Sequence, residues 1–424
     1  MSQKSAGYDY LRIYVRFAFW LMHKKIVVKG LDNIPKNQPV IFAVNHQNAL
    51  MDPMALVCTN PLQTLWLTRA DIFKNRAARP VLKFLKMIPI YRIRDGKDSL
   101  SNNEQIFQQV TRTLEDKLSI ALFPEAAHSG KRQMLPHKKA IPRIALEAEE
   151  KNNFELDLQI VPVGIYYDHY WNFDRTLIVQ YGEPFDIDSY KERYAENSQN
   201  AMITLRDQIH DMLEPLTMQI NSVNFYHDYE NIRSIAGEEY SKRQFFDTNP
   251  ILQLFRAEQE LITKTELFEA EKPEIFKELV SQTRTYTREI QKGGFTNKQI
   301  AQAVHTTWLK LTGMLAISLL SAPLLVFGIL FNFIPFLVPS LFFTRKIKDT
   351  AFISSFNFAL SLIIFPIFYL LVSALIWVLS GSFLLALAAI FAIPFAGKLA
   401  YKILMFDIDL IQIVRLRIFG KGIF

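Results

Sequence analysis

The stretch Val44-Asn45-His46-Gln47-Asn48-Ala49-Leu50-Met51-Asp52-Pro53 lies between two apolar runs. Upstream, residues 39–44 are short, apolar and β-rich. Downstream, an apolar helical stretch follows Pro53. Aspartate followed by proline is a good helix start, because the first caps and the second fits the first helical position. The stretch therefore predicts a strand, a loop carrying His46, and a helix capped by Asp52. Residues six apart do not share a helical face. The two side chains meet only if the loop folds His46 back over the helix start. Such a pair has a clear use. Neutral imidazole can take a proton from an attacking hydroxyl, while a carboxylate fixes its tautomer and stabilises the cation. No serine or cysteine nucleophile is required when the acceptor's own hydroxyl attacks.

The same texture extends outward. Residues 26–28, 118–123, 158–167 and 176–181 are further β-rich runs, and residues 77–87, 99–117 and 139–151 read as helices. Strands alternating with helices predict an α/β fold class, with a largely parallel sheet flanked by helices over residues 26–215. Residues 1–25 read as an interfacial amphipathic helix. Tyr10, Tyr14, Phe17 and Leu21 recur at helical steps, and Arg12 and Arg16 occupy another face. Those arginines interrupt the apolar stretch, so no signal peptide is expected. Residues 216–305 read as a polar helical connector without a motif.

Residues 306–424 read as a transmembrane helical region. Residues 311–344 and 350–397 contain no Asp, Glu, Lys or Arg, and about 20 apolar residues suffice to cross a bilayer as a helix. The second run is long enough for two spans, with a break near Ser380-Gly381-Ser382. The first holds Pro323, Pro335 and Pro339, which allows a kinked span or a re-entrant hairpin. A catalytic domain on the cytoplasmic face, with the basic link Arg345-Lys346-Ile347-Lys348 on the same side, favours the hairpin. The chain's net charge of +7 calls for an anionic partner, either a phospholipid membrane or a phosphorylated substrate. Nucleic acid is not expected, because the basic charge lies beside membrane segments and no recognition motif is present. Cys58 is the one cysteine, which excludes an internal disulfide and fits a reducing cytosolic face.

Three more segments carry candidate chemistry. Phe123-Pro124-Glu125-Ala126-Ala127-His128 leaves a strand, which places Glu125 at the carboxyl edge of an α/β sheet. Ile88-Pro89-Ile90-Tyr91-Arg92 lies in a region, residues 69–97, with nine Lys or Arg against two Asp. Arginine forks match phosphate oxygens, and Arg92 beside an apolar strand is the best placed. A further basic run includes Lys131, Arg132 and Lys138. Val161-Pro162-Val163 is a β-branched strand whose proline predicts an edge or a bulge.

Taken in order, these four segments resemble the glycerophospholipid acyltransferase family, which includes glycerol-3-phosphate and lysophosphatidate acyltransferases. The resemblance covers residues 26–190. It implies that His46 is the general base and Asp52 its partner. It implies that Asn45, Arg92, Pro124, Glu125 and Lys138 help hold the phosphorylated glycerol acceptor, and that Val161 and Pro162 border the acyl chain. It implies no metal and no bound cofactor, only acyl-CoA or acyl-carrier protein as the acyl donor. Two departures stand out. Five residues separate His46 from Asp52 where four are usual, a spacing similar to that of fungal-type enzymes acting on glycerol 3-phosphate. Ala126-Ala127-His128 replaces the usual Gly-Thr-Arg. The expected function is membrane-integral acyl transfer to glycerol 3-phosphate. The alternatives are lysophosphatidate or another lipid as acceptor, or an inactive lipid-binding scaffold.

Overall fold

The computed structural model describes residues 5–76, 78–91, 102–171, 173–342, 347 and 351–419. Two compact units result, one of residues 1–219 with 349–355, the other of residues 220–348 with 356–424. In chain order the first runs α1 (Ala6–Met22), β1 (His23–Lys29), β2 (Val40–Val44), α2 (Met51–Thr59), β3 (Leu65–Arg69), α3 (Ala78–Phe84), β4 (Met87–Ile90) and α4 (Asn102–Glu115). It continues with β5 (Ser119–Leu122), α5 (Ala140–Lys151), β6 (Gln159–Tyr167), β7 (Arg175–Tyr181), β8 (Phe185–Asp186), α6 (Lys191–Glu196) and α7 (Ser198–Leu213).

All five residues of β2 are apolar and all are buried. A strand without polar alternation has both faces covered, as in the interior of an α/β sheet. The sheet order is β1-β7-β6-β2-β5-β3-β4, with β8 also on β6. Five of its pairings are parallel, and β7 and β8 run antiparallel to β6. This is the expected largely parallel sheet. On one face Ile41 and Ala43 join a core with Val110 and Leu114 of α4, Ile144 of α5 and Leu205 of α7. On the other, Phe42 meets the Tyr181 ring edge-on at 6.1 Å. The short strand β3 was not expected from sequence; its Leu65, Trp66 and Leu67 are buried. The helix expected over 77–87 is α3, and Met87 already opens β4.

Pro162 is not on an edge strand. It pairs with Ala43 inside the sheet. The carbonyl of Val163 accepts from Asn45 on the β2 side, while that of Pro162 accepts from Gly182 on the opposite side. The missing N–H of Pro162 therefore points away from β2. There the neighbour of β6 changes from β8 to β7, so no ladder bond is lost.

Helix α1 buries Tyr8, Val15, Phe19 and Met22 and leaves Tyr10, Ile13, Phe17 and Trp20 exposed. Arg12 and Arg16, expected on another face from the aromatics, donate to the carbonyls of Pro61, Leu62 and Asn60, just past α2. Cations suit the negative end of a helix.

The second unit holds α8 (Tyr226–Arg243), α9 (Pro250–Glu271), α10 (Pro273–Gly293), α11 (Asn297–His305), α12 (Trp308–Phe342), α13 (Ala351–Ser380) and α14 (Phe383–Phe419). The last three contain segments of 32, 29 and 36 residues long and apolar enough to cross a membrane. The expected break at Gly381 separates α13 from α14, with Gly381 at φ +66°. The first apolar run is not a hairpin. It forms one helix, α12, which carries all three prolines inside it. Neighbouring helices can satisfy the carbonyls that such prolines free.

Candidate active site

The chain leaving β2 does not turn straight into α2. Asn45 first continues along β6, its N–H on the carbonyl of Val163. Its side-chain amide then takes both backbone groups of Ile165: Nδ2 donates to the carbonyl, and Oδ1 accepts from the N–H at 2.7 Å. Asn45 is fully buried and acts as a strand residue in side-chain form. Gln47 and Asn48 fasten the loop to the segment after β6. Gln47 Oε1 accepts from the Tyr170 hydroxyl, and Asn48 Nδ2 donates to the Tyr170 carbonyl.

This path folds His46 back over the start of α2. Its Nδ1 lies 2.8 Å from Asp52 Oδ2. The same oxygen accepts the N–H groups of Gln47 and Asn48, both at 2.7 Å. Asp52 is not the helix cap that its place before Pro53 suggests. The cap position is Leu50, whose side chain makes no capping bond, and Asp52 is the second helical residue. Its carboxylate instead caps the loop that delivers His46. The His46 ring stacks on Phe123 at 3.9 Å, with His128 edge-on at 5.5 Å. The His46 side chain keeps 15% of its surface exposed, against 1% for Asp52. An imidazole held on one nitrogen by a buried carboxylate and open at its surface can accept a proton there.

Glu125 follows β5, the neighbour of β2, so the two loops rise together at the carboxyl edge. Its carboxylate does not face an open site. Oε1 accepts the N–H of His46 at 2.7 Å, and Oε2 accepts that of Leu135 at 2.8 Å. Burial pushes its pKa up to about 8, with the two N–H groups pulling it down and Asp52 pushing it further up. Glu125 thus ties the His46 loop to the loop after β5. Ala126 takes φ +59°, the left-handed region that favours glycine, at the position where the family usually has one.

The other residues singled out by sequence are spread around this centre. Pro124, Val161 and Pro162 are buried. Lys138 has an exposed side chain, and its N–H closes the loop onto the Pro124 carbonyl. Arg92 lies outside the described residues. Sequence reading missed Tyr167 and took Arg132 only as one member of a basic run. Arg132 is turned inward and donates to the carbonyls of Tyr167 and Asp168. Its guanidinium lies over the Tyr166 and Tyr170 rings at 4.8 and 5.3 Å. The only signal for Tyr167 is its place at the carboxyl end of β6, beside the strand that carries His46.

Comparison with known proteins matches residues 25–166 to the Acyltransferase family. An uncharacterized acyltransferase of Schizosaccharomyces pombe is 31% identical over 132 residues, which are 31% of this chain and 18% of that protein. Glycerol-3-phosphate O-acyltransferase 2 of Saccharomyces cerevisiae is 28% identical over 117 residues, 27% of this chain and 16% of that protein. The chain thus spans under a fifth of the length of these two relatives. The crystal structure of the 1-acyl-sn-glycerophosphate acyltransferase of Thermotoga maritima aligns with 49% of this chain and 79% of that one, at 18% identity and a TM-score of 0.36. Over residues 25–166 this chain matches the Acyltransferase family and is similar to proteins named for acyl transfer to glycerol phosphates.

Proposed function

We propose that the protein is a membrane-bound O-acyltransferase that moves a fatty acyl group from an acyl thioester to a hydroxyl of glycerol 3-phosphate. The observation that carries the reading is the 2.8 Å contact between His46 Nδ1 and Asp52 Oδ2 in a family-matched domain, within a chain whose described residues include three membrane-length helices. In this mechanism the second ring nitrogen, Nε2, takes the proton from the acceptor hydroxyl as its oxygen attacks the thioester carbonyl. Asp52 stabilises the imidazolium that forms. The tetrahedral intermediate collapses, the C–S bond breaks, and the thiolate recovers the proton from the imidazolium. The reaction as written needs no metal and no bound cofactor. Glycerol 3-phosphate is preferred as acceptor for two reasons: the five-residue spacing between His46 and Asp52, and the similarity to a yeast protein named for that substrate. A catalytic unit on the cytoplasmic face, where acyl thioesters are made, completes the proposal.

The test offers labelled palmitoyl-CoA to the purified full-length protein, with glycerol 3-phosphate and lysophosphatidate in parallel. The expected product is lysophosphatidate, made from glycerol 3-phosphate. His46→Ala should lower the rate by roughly 10²–10⁴-fold, the usual contribution of general acid–base catalysis. A His46→Ala protein with undiminished acyl transfer would refute the mechanism. Turnover of lysophosphatidate alone would move the assignment to the second acylation step.

A further inference from the structure

Asp52 makes all three of its ordinary hydrogen bonds through one oxygen, Oδ2. The other, Oδ1, is buried and has no partner of ordinary hydrogen-bond geometry among the described residues. A bare carboxylate oxygen in a dry site is costly, so the group beside it matters. That group is the phenol of Tyr167, the last residue of β6, which adjoins the Asp52 carboxylate. Tyr167 is fully buried, and its hydroxyl also lacks an ordinary partner among the described residues. One unfilled donor and one unfilled acceptor thus lie side by side.

The surroundings hold the phenol where it is. The Arg175 guanidinium lies over its ring at 4.7 Å. Arg175 is itself buried and donates to the Tyr170 carbonyl. On the main-chain side, Arg132 Nη1 donates to the Tyr167 carbonyl at 2.8 Å. Two buried arginines therefore brace a tyrosine that has no part in the proposed proton transfer.

We propose that Tyr167 is a positioning residue for His46: its hydroxyl donates to Asp52 Oδ1 and holds the carboxylate with Oδ2 toward the imidazole. Hydrogen bonds of a catalytic group commonly tighten as the substrate complex forms. Burial, with Asp52 adding to it, raises the phenol's pKa well above its ordinary value, so the hydroxyl keeps its proton at any working pH. The donated bond has two effects. It fixes the rotation of the carboxylate, and it draws charge from Asp52. Without it the carboxylate would stabilise the imidazolium more strongly, and the neutral base would be lost at a higher pH. The inference rests on the base role proposed for His46.

The test measures kcat and KM against pH for the full-length protein, with palmitoyl-CoA and whichever acceptor is turned over. Tyr167→Phe removes one oxygen. It should lower kcat by roughly 10–100-fold, as loss of an outer partner of a site residue commonly does. KM should be unchanged, and the acid limb of the profile should move to higher pH. Difluorotyrosine placed at position 167 keeps the ring and is a stronger donor, so it should move the limb the other way. That second protein keeps the question open to refutation should Tyr167→Phe fail to fold. Unchanged kcat and acid limb in Tyr167→Phe, or an unmoved limb in the difluorotyrosine protein, would overturn the role of Tyr167. A fall in kcat with an unmoved limb and a lowered thermal midpoint would also overturn it and assign the residue to packing. The failure of the underlying reading is distinct: it is full activity in His46→Ala.

Discussion

Glu125 shows how a motif residue can be placed correctly and used differently. Its position after β5 follows from the sequence, but both of its oxygens are taken by backbone N–H groups. In Glu125→Gln one of those oxygens becomes an NH₂ facing an N–H. The cost should be about 1–3 kcal/mol, the usual penalty for an unsatisfied buried donor. The pH dependence gives a sharper test. The unfolded chain releases this proton in the ordinary carboxylate range, while the folded chain holds it to about 8. Between those values the folded state binds more protons, so this group's contribution to stability falls as pH rises. Denaturant midpoints measured from about pH 5 to about pH 8 should therefore decline more steeply in the wild-type protein than in Glu125→Gln. Equal slopes would show that Glu125 is ionised throughout. The sequence places Asn45 and Glu125 beside His46. It does not reveal that they serve the backbone, because hydrogen-bond partners 120 and 79 residues away are set only by strand order.

At the scale of elements, α12 and α14 pack through small residues. A side chain added at Gly328 would meet the Ala400 Cβ at 2.4 Å and the Ala396 carbonyl oxygen at 2.5 Å. Nearby, Asn332 Nδ2 donates to the carbonyls of Gly328 and Ile393, and Asn332 Oδ1 accepts from the Tyr369 hydroxyl at 2.6 Å. Close backbones and a few satisfied polar groups are what hold helices together in lipid, where apolar surface gains nothing from leaving the solvent. Gly328→Val should force the two helices apart at a cost of about 1–3 kcal/mol, typical of overpacking. Gly313→Val, on the same helix with open space around it, should be close to neutral. Thermal unfolding in detergent compares the two directly, and equal midpoints would contradict this packing. The prolines in the first apolar run left a kinked span or a hairpin open, because prolines end helices in water, and the basic link beside a cytoplasmic catalytic domain favoured the hairpin. Inside α12 they are tolerated, and sequence spacing alone does not separate the two outcomes.

For the whole molecule, the number of crossings decides which loops share a side. If α13 crosses once, Ile347 and Ser382 lie on opposite sides of the bilayer. Ile347→Cys and Ser382→Cys should then react with an impermeant thiol reagent from opposite faces of sealed vesicles. The native Cys58 should stay silent, because burial pushes its thiol up to about 12. Labelling of both positions from one side would mean that α13 does not cross.

The sequence by itself determined the α/β class, the carboxyl-edge location of His46 and Glu125, and the apolar C-terminal third. Each of these follows from local pattern: buried runs, turn chemistry after strands, and charge-free length. Tertiary structure decided the rest. It showed that Asp52 serves the His46 loop rather than the helix end, because a carboxylate goes to whichever N–H groups the loop path brings to it. It seated Pro162 inside the sheet, at the one place where the neighbouring strand changes. It also brought Tyr167 beside Asp52, 115 residues away in sequence, because β6 lies next to β2. The pair His46 and Asp52 can be read from one short stretch. What holds that pair in place comes from strands that only the fold makes neighbours.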